Sequence, residues 1–276
     1  MTLVPGRVIA RRTVLRVQDG RARLVSDQLA VEEPLEIRVN GEAVSVTMRT
    51  PGDDFDLAAG FCLTEGILAD PDEIAAIRYC GGQPGPYTGE FNVVDIATRS
   101  PEPIARELRR HVYMSSSCGL CGTASIEAVR KHAEPVDDDP VRIAAATLLE
   151  LPARLREAQR VFERTGGLHA AALFTASGTL RCLREDVGRH NAVDKVIGWA
   201  VTSRALPLSG HVLMVSGRVA FEIAQKALIA RVPVVAAVSA PSSLAVELAE
   251  EAGMTLAGFV RGSGFNLYTG EHRITR

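Results

Sequence analysis

The chain has 276 residues, 46% hydrophobic and 23% charged, the balance of a soluble globular protein with one large or two modest domains. A net charge of −2 removes the electrostatic argument for nucleic-acid or polybasic membrane binding, and 5% aromatic content argues against a stacking platform for single strands. The opening MTLVPGRVIARR lacks the apolar core of a signal peptide, VPVVAAVSA is too short to cross a bilayer, and five cysteines is an odd count, so a reducing cytoplasm is the expected location.

The first hundred residues read as a small α+β unit. Two alternating runs in LEIRVNGEAVSVTMRT meet at Asn40-Gly41, which predicts a hairpin. PGDDFDLAAGFCLTEG follows as a helix, acidic in its first turn and closed by Gly66. Asp70, Pro71 and Glu73 supply a cap, a first-position proline and a capping-box acid, hence the start of another helix. GGQPGPYTG reads as a surface loop between two strand-like runs. RSPEPIARELRRHVYM is a helical linker to the stretch SSSCGLCG, and EPVDDDP reads as a solvated turn ahead of a helix.

From about Ala144 the pattern becomes regular. Helical LLELPARLREAQRVFERTGG precedes a strand pair, HAAALFTASGTLRCL, turned at Ser177-Gly178. A helix over 190–203, strand HVLMVSG, helix AFEIAQKALIA, strand VPVVAAVSA, helix SLAVELAEEAG and strand TLAGFV complete the series. Such alternation predicts a largely parallel sheet covered by helices.

The pair Cys118 and Cys121 carries the chemistry most open to reading. Structural zinc needs four ligands, and Cys62, Cys80 and Cys182 form no second pair, so zinc is not favoured. Cys62 and Cys182 sit in apolar patterns and belong to the core. SSSCGLCG offers almost nothing apolar to bury, which leaves redox or sulfur chemistry, equally matched on the residues alone. TASIEAVRKH reads as a helix, so both thiols lie near a helix N-terminus that favours thiolate. A thioredoxin-like motif would follow a strand of a βαβ unit, whereas this one follows a helical linker.

Three further stretches fall at predicted strand ends, where open α/β sheets bind ligands. REDVGRHNAVDKVIG gathers Arg184, Glu185, Asp186, Arg189, His190 and Asn191. Asp194 and Lys195 in the same run fit a solvated helix turn as well as a site. Ser216-Gly217-Arg218 precedes a helix whose amides, with Arg218, offer an anion a place. Arg261 beside Gly262-Ser263-Gly264 permits close approach of a phosphate without being a Walker or Rossmann fingerprint. GLHAAAL and SAPSSLA look like the zinc-deaminase signature H-x-E…P-C-x-x-C with its working atoms removed. His169 remains, Ala171 replaces the glutamate, and Ser242 and Ala245 replace the cysteines.

Taken together, SSSCGLCG, TGGLHAAAL, REDVGRHNAVDKVIG, SGRVAFEIAQKA and GFVRGSGFNLYTG resemble the FdhD family of formate dehydrogenase accessory sulfurtransferases, in family order along nearly the whole chain. The resemblance implies a smaller α+β N-terminal domain (1–112) and a cytidine-deaminase-like α/β/α domain beginning with the CxxC loop (113–276), usually as a homodimer. It implies transfer of persulfide sulfur from a cysteine desulfurase to the molybdenum of a bis(molybdopterin guanine dinucleotide) cofactor, which activates formate dehydrogenase, with no metal held by the protein itself. By position, Cys118 matches the persulfide-bearing cysteine and Cys121 its required neighbour. Phe259, Val260, Arg261, Gly262, Ser263 and Gly264 match the cofactor segment. Arg189, His190 and Arg218 join them as anion-receiving candidates, because the cofactor carries two guanosine diphosphate arms. A thiol-disulfide oxidoreductase and a non-catalytic cofactor chaperone are the alternatives.

Overall fold

The computed structural model describes residues 8–80, 91–100 and 134–276. Strands β1 (Ile9–Gln18) and β2 (Arg21–Ala30) pair antiparallel as a two-stranded ribbon. Its turn, Asp19-Gly20, takes positive φ at both positions, 51° and 74°, as a two-residue hairpin turn requires. Arginines interrupt the apolar alternation of this ribbon, so the sequence pattern does not announce it.

A four-stranded sheet comes next, with order β4-β3-β6-β5, from β3 (Glu33–Val39), β4 (Glu42–Arg49), β5 (Ile74–Tyr79) and β6 (Val93–Thr98). The turn at Asn40-Gly41 forms as expected, with φ of 52° and 81°. Helix α1 (Asp54–Thr64) covers this sheet, carries Asp54 and Asp56 in its first turn, and ends before Gly66 at φ 71°. The capping box at Asp70 and Glu73 also forms, yet it starts only a 3-10 turn over Pro71–Glu73. Ile74 and the residues after it pair with β6, and the sheet takes the chain before a helix can propagate. The GGQPGPYTG loop, the linker beyond Ser100, and Cys118 and Cys121 lie outside the described residues.

The second half forms a six-stranded sheet in the order β13-β12-β11-β10-β8-β9. Its elements are the short β7 (Ile143–Ala144), α2 (Ala145–Ala158), α3 (Arg160–Thr165), β8 (His169–Thr175), β9 (Leu180–Asp186) and α4 (Arg189–Thr202). Then come β10 (His211–Val215), α5 (Phe221–Ile229), β11 (Val234–Ala237), α6 (Ser243–Glu251), β12 (Thr255–Arg261), β13 (Gly264–Thr269) and β14 (Ile274–Thr275), which pairs with β7. Within this sheet β10, β11 and β12 run parallel; β8–β9, β8–β10 and β12–β13 are antiparallel. The expected largely parallel sheet is thus a mixed one. The turns at Gly178 and at Gly262-Ser263 are too short for a crossover and can only return the chain antiparallel.

Strand alternation divides the second half into three layers. Leu173, Leu213, Val215, Val235 and Leu256 face α4, α5 and α6, while Phe174, Val212, Met214, Val234 and Val260 face α2. The single helix expected over residues 148–167 breaks at Gln159. The Glu185 carboxylate accepts from the amides of Val161 (2.9 Å) and Phe162 (2.7 Å) and so caps a new helix, α3. EPVDDDP is only partly the solvated turn expected. Asp137 and Asp138 are exposed, but the buried Asp139 accepts from the amides of Val141 and Gly210, both at 2.9 Å. The fully buried Arg273 donates to the carbonyls of Val136, Asp139 and Gly253, which ties the C-terminal strand to this turn. Among the described residues, no helix is long and apolar enough to cross a membrane.

Helix α1 joins the two sheets. Nine of its eleven residues are buried, as befits a helix that is apolar on all sides. It crosses α4 where Gly60 meets Gly198. A Cβ built on Gly198 would lie 1.7 Å from the Asp56 carbonyl oxygen, and one on Gly60 would lie 1.9 Å from that of Asp194. Polar groups encircle the crossing. Lys195 bridges Asp186 (2.8 Å) and the Thr50 carbonyl (2.9 Å), while Lys226 bridges Asp194 (2.9 Å) and Glu65 (2.8 Å). Asp194 and Lys195 are 2% and 1% exposed, which excludes the solvated helix turn for both. The crossing predicts that Gly198→Ala costs about 3 kcal/mol or more, because a methyl group fits only if the helices separate. Urea unfolding checks this, and an unchanged midpoint would show that the two backbones do not touch there.

Candidate functional site

Three parallel strands bring their carboxyl ends to one edge of the large sheet, and β9, antiparallel to β8, ends at the same edge. Gly188 follows β9 and starts α4, Ser216-Gly217-Arg218 follows β10, and Ser239 to Pro241 follow β11. The β12–β13 turn closes the row, and His169, at the start of β8, faces Asp186 across the ladder. Arg189, His190, Arg218 and the Phe259–Gly264 segment therefore share an edge. From β9 to β12 is four strand spacings, roughly 19 Å. The candidates form two groups along a groove-length line, with Arg218 exposed between them.

The first group surrounds Gly217. A Cβ there would meet His169 Nδ1 at 3.5 Å and Arg189 Cδ at 3.8 Å, so these side chains converge on bare backbone. Burial, and then the charge of Arg189, lower the pKa of His169. His190 is lowered further, to about 4, by burial and then by the charges of Arg189 and Lys226. Its Nε2 lies 4.0 Å from the Glu222 carboxylate, and with the ring neutral there is no ion pair. Arg189 Nε and His190 Nε2 are both shielded from solvent and lack a hydrogen-bond partner among the described residues. Buried polar atoms without a partner are rare in folded proteins, and two side by side make this pair the candidate for contact with a bound ligand. Glu222 escaped the sequence reading; its only signal was its position in the first turn after Ser216-Gly217-Arg218.

The second group is the β12–β13 turn. Phe259, a bulky residue, adopts φ 53°, a strained left-handed conformation, where the β12–β13 register slips. Its amide bonds to Ser239 O at 3.1 Å, and Gly258 beside it admits no side chain, since a Cβ would lie 2.8 Å from the Pro241 ring. The Arg261 guanidinium stands 5.4 Å from the Phe259 ring centroid, within cation–π range. Arg261, Gly262, Ser263 and Gly264 are exposed, and Cβ atoms on either glycine would meet nothing within 4 Å. Val260 differs from its neighbours: its fully buried side chain packs toward α2, so only its backbone reaches the edge. Gly262-Ser263 is a hairpin turn as well as an open approach, and Gly-Ser between two alternating runs was the sequence signal for it.

Several marked residues have other work. Arg184 bonds Asp56 at 2.7 Å, Glu185 caps α3, and the fully buried Asp186 accepts from Thr50 N, Gly188 N and Asn191 Nδ2. Ser242 caps α6 by accepting from Ala245 N at 3.3 Å, and Ala171 is buried in β8. Cys62 and Cys182 are buried free thiols, as expected, and burial pushes Cys182 up to about 12. Among the described residues, no three His, Cys, Asp or Glu side chains are placed to share a metal ion. A cavity of about 780 Å³ opens at the opposite end of the parallel strands, lined by Ile74, Ile77, Arg99, Thr202, Pro207 and Arg231 among others, away from every candidate above.

The chain is 58% identical over 273 residues to the sulfur carrier protein FdhD of Streptomyces avermitilis, covering 98% of this chain and 96% of the relative. It is 51% identical over 275 residues to the protein of that name from Mycobacterium tuberculosis, covering 98% and 100%. A crystal structure described as a formate dehydrogenase accessory protein from Desulfotalea psychrophila superposes with a TM-score of 0.77 at 22% identity, covering 98% of this chain and all of that one, so the fold is shared. The model of the FdhD/NarQ family matches residues 30–275, a span that takes in both sheets and the whole strand-end edge, and the chain belongs to that family.

Proposed function

We propose that this protein is a sulfurtransferase that takes persulfide sulfur from a cysteine desulfurase and passes it to a molybdenum–bis(molybdopterin guanine dinucleotide) substrate destined for formate dehydrogenase. The observation that carries the reading is 51–58% identity, over nearly the full length, to proteins named sulfur carriers, joined to a sheet edge that offers cationic and open-backbone groups. Cys118 thiolate attacks the outer sulfur of the donor persulfide, the donor cysteine leaves as thiolate, and Cys118 becomes the persulfide. Cys121 relays that sulfur or resolves the carrier.

The edge suits a substrate with two nucleotide diphosphate arms. Arg261 and Arg218 stand exposed, Gly262 and Gly264 leave the backbone open, and Arg189 and His190 hold donors without acceptors. Phe259, Ser263 and the Val260 backbone complete the turn. We read residues 113–276 as a cytidine-deaminase-like domain without zinc, residues 1–112 as its companion, and the working form as a cytoplasmic homodimer.

Mass spectrometry after incubation with a cysteine desulfurase and cysteine tests the carrier step. Wild type should gain one sulfur atom and Cys118→Ala none, with the fold unchanged because SSSCGLCG offers little apolar surface to lose. A folded Cys118→Ala variant that still activates formate dehydrogenase fully would remove the assignment. Titration calorimetry with guanosine diphosphate tests the edge. Arg261→Ala should weaken binding by roughly ten- to a hundredfold, the loss of a charge-assisted contact. Unchanged affinity would move the phosphate away from this turn.

The His190 ring should titrate near pH 4 when followed by its C2–H proton resonance. The unfolded chain takes up that proton near pH 6.5 and the folded one only near 4, so stability falls as pH drops through this window. A midpoint above 6 would mean that the ring is solvated and not a buried donor.

A further inference from the structure

The β1–β2 ribbon belongs to neither the core nor the strand-end site. At about 3.4 Å per residue its ten-residue strands extend roughly 34 Å. Among the described residues, the body of the protein holds only its base: Ile9 is buried, Val31 N bonds Val8 O at 3.0 Å, and Arg164 donates to Gln28 at 2.8 and 3.0 Å.

The outer half is exposed and has two unlike faces. Residues directly opposite in an antiparallel pair share a face, so Leu15 with Leu24, and Val17 with Ala22, form an apolar strip. Leu15, Val17 and Leu24 are 62%, 68% and 72% exposed. The other face pairs Arg16 with Arg23 and Gln18 with Arg21, all exposed, and these arginines enter no ion pair among the described residues.

Two features of this ribbon need a partner. A lone two-stranded hairpin is at best marginally stable in water, and this one leaves its largest apolar side chains uncovered. Like charges directly opposite also work against pairing, which makes the Arg16–Arg23 rung unfavourable until carboxylates approach it. The rest of this chain carries an excess of such carboxylates. Residues 9–30 hold five arginines and two aspartates, an excess of three positive charges on a chain of net charge −2, so the rest of the chain is acidic by five.

We propose that the β1–β2 ribbon is a dimerisation arm that docks on a second copy of this chain, its apolar strip covered and its arginine face set against the partner's acidic surface. A two-fold arrangement makes the contact self-complementary, each copy giving an arm and receiving one. The proposal rests on the two-copy reading above and names the surface responsible for it.

Sedimentation velocity of the full-length chain over micromolar concentrations tests it. Wild type should sediment as a dimer and the triple variant Leu15→Ser, Val17→Ser, Leu24→Ser as a monomer. The double variant Arg16→Glu, Arg23→Glu should dimerise at least about tenfold more weakly. All five side chains are solvent-exposed, so circular dichroism and the urea midpoint of the monomeric unit should be preserved; if the serine variant fails to fold, the charge-reversal variant decides alone. A wild-type dimer whose affinity neither variant changes would overturn the arm while leaving the two-copy reading intact. A wild-type monomer at every concentration would overturn both.

Discussion

Two glycines that face each other across α1 and α4 set the distance between the sheets, and the other features of the molecule depend on that distance. With no side chain at Gly60 or Gly198, helix backbones approach to where carbonyl oxygens occupy the places of Cβ atoms. Helix packing distance depends on the size of the residues at the contact, so larger side chains there would push the small sheet away from the large one. The charged groups around the crossing would then lose their partners. Removing one member of a buried ion pair typically costs about 3–5 kcal/mol, because the other is left uncompensated.

The seam and the strand-end edge use charge in opposite ways. In the seam each charged group is met: Lys195 by Asp186 and the Thr50 carbonyl, Lys226 by Asp194 and Glu65, Arg184 by Asp56. Burial alone would lower the pKa of Lys226, but the flanking Asp194 and Glu65 carboxylates raise it instead, so it remains an ammonium. At the edge the groups are left open: Arg218 and Arg261 in solvent, Arg189 Nε and His190 Nε2 shielded without acceptors among the described residues. The run REDVGRHNAVDKVIG contributes to both, Arg184, Asp186, Asp194 and Lys195 to the seam, Arg189 and His190 to the edge, while its Glu185 caps α3.

Strain and freedom are arranged in the same way at the β12–β13 turn. Phe259 is held in a left-handed conformation by its bond to Ser239 and by the tight fit of Gly258 against Pro241, while the four residues from Arg261 on are open to solvent. A rigid, strained base under an open turn fixes where the Arg261 guanidinium starts from, which would lower the ordering cost of the phosphate contact proposed for it.

Much of this protein was legible in its sequence because the signals were local. The Asn40-Gly41 hairpin, α1 with its acidic first turn, and the helix–strand series from Ala144 depend on turn chemistry and periodicity that a short window contains. The blocks from SSSCGLCG to GFVRGSGFNLYTG were enough to indicate the family that the comparisons then showed. Tertiary structure decided the features that depend on contacts between distant residues. Sequence could not tell that Pro71–Glu73 would stop at one turn, since β6 lies elsewhere in the chain and captures Ile74–Tyr79 as a strand. It could not separate Asp194 and Lys195, which serve the seam, from Arg189 and His190, which serve the edge. That choice depends on which side of α4 meets α1, and two glycines 138 positions apart in the chain settle it by being small enough to let the backbones touch.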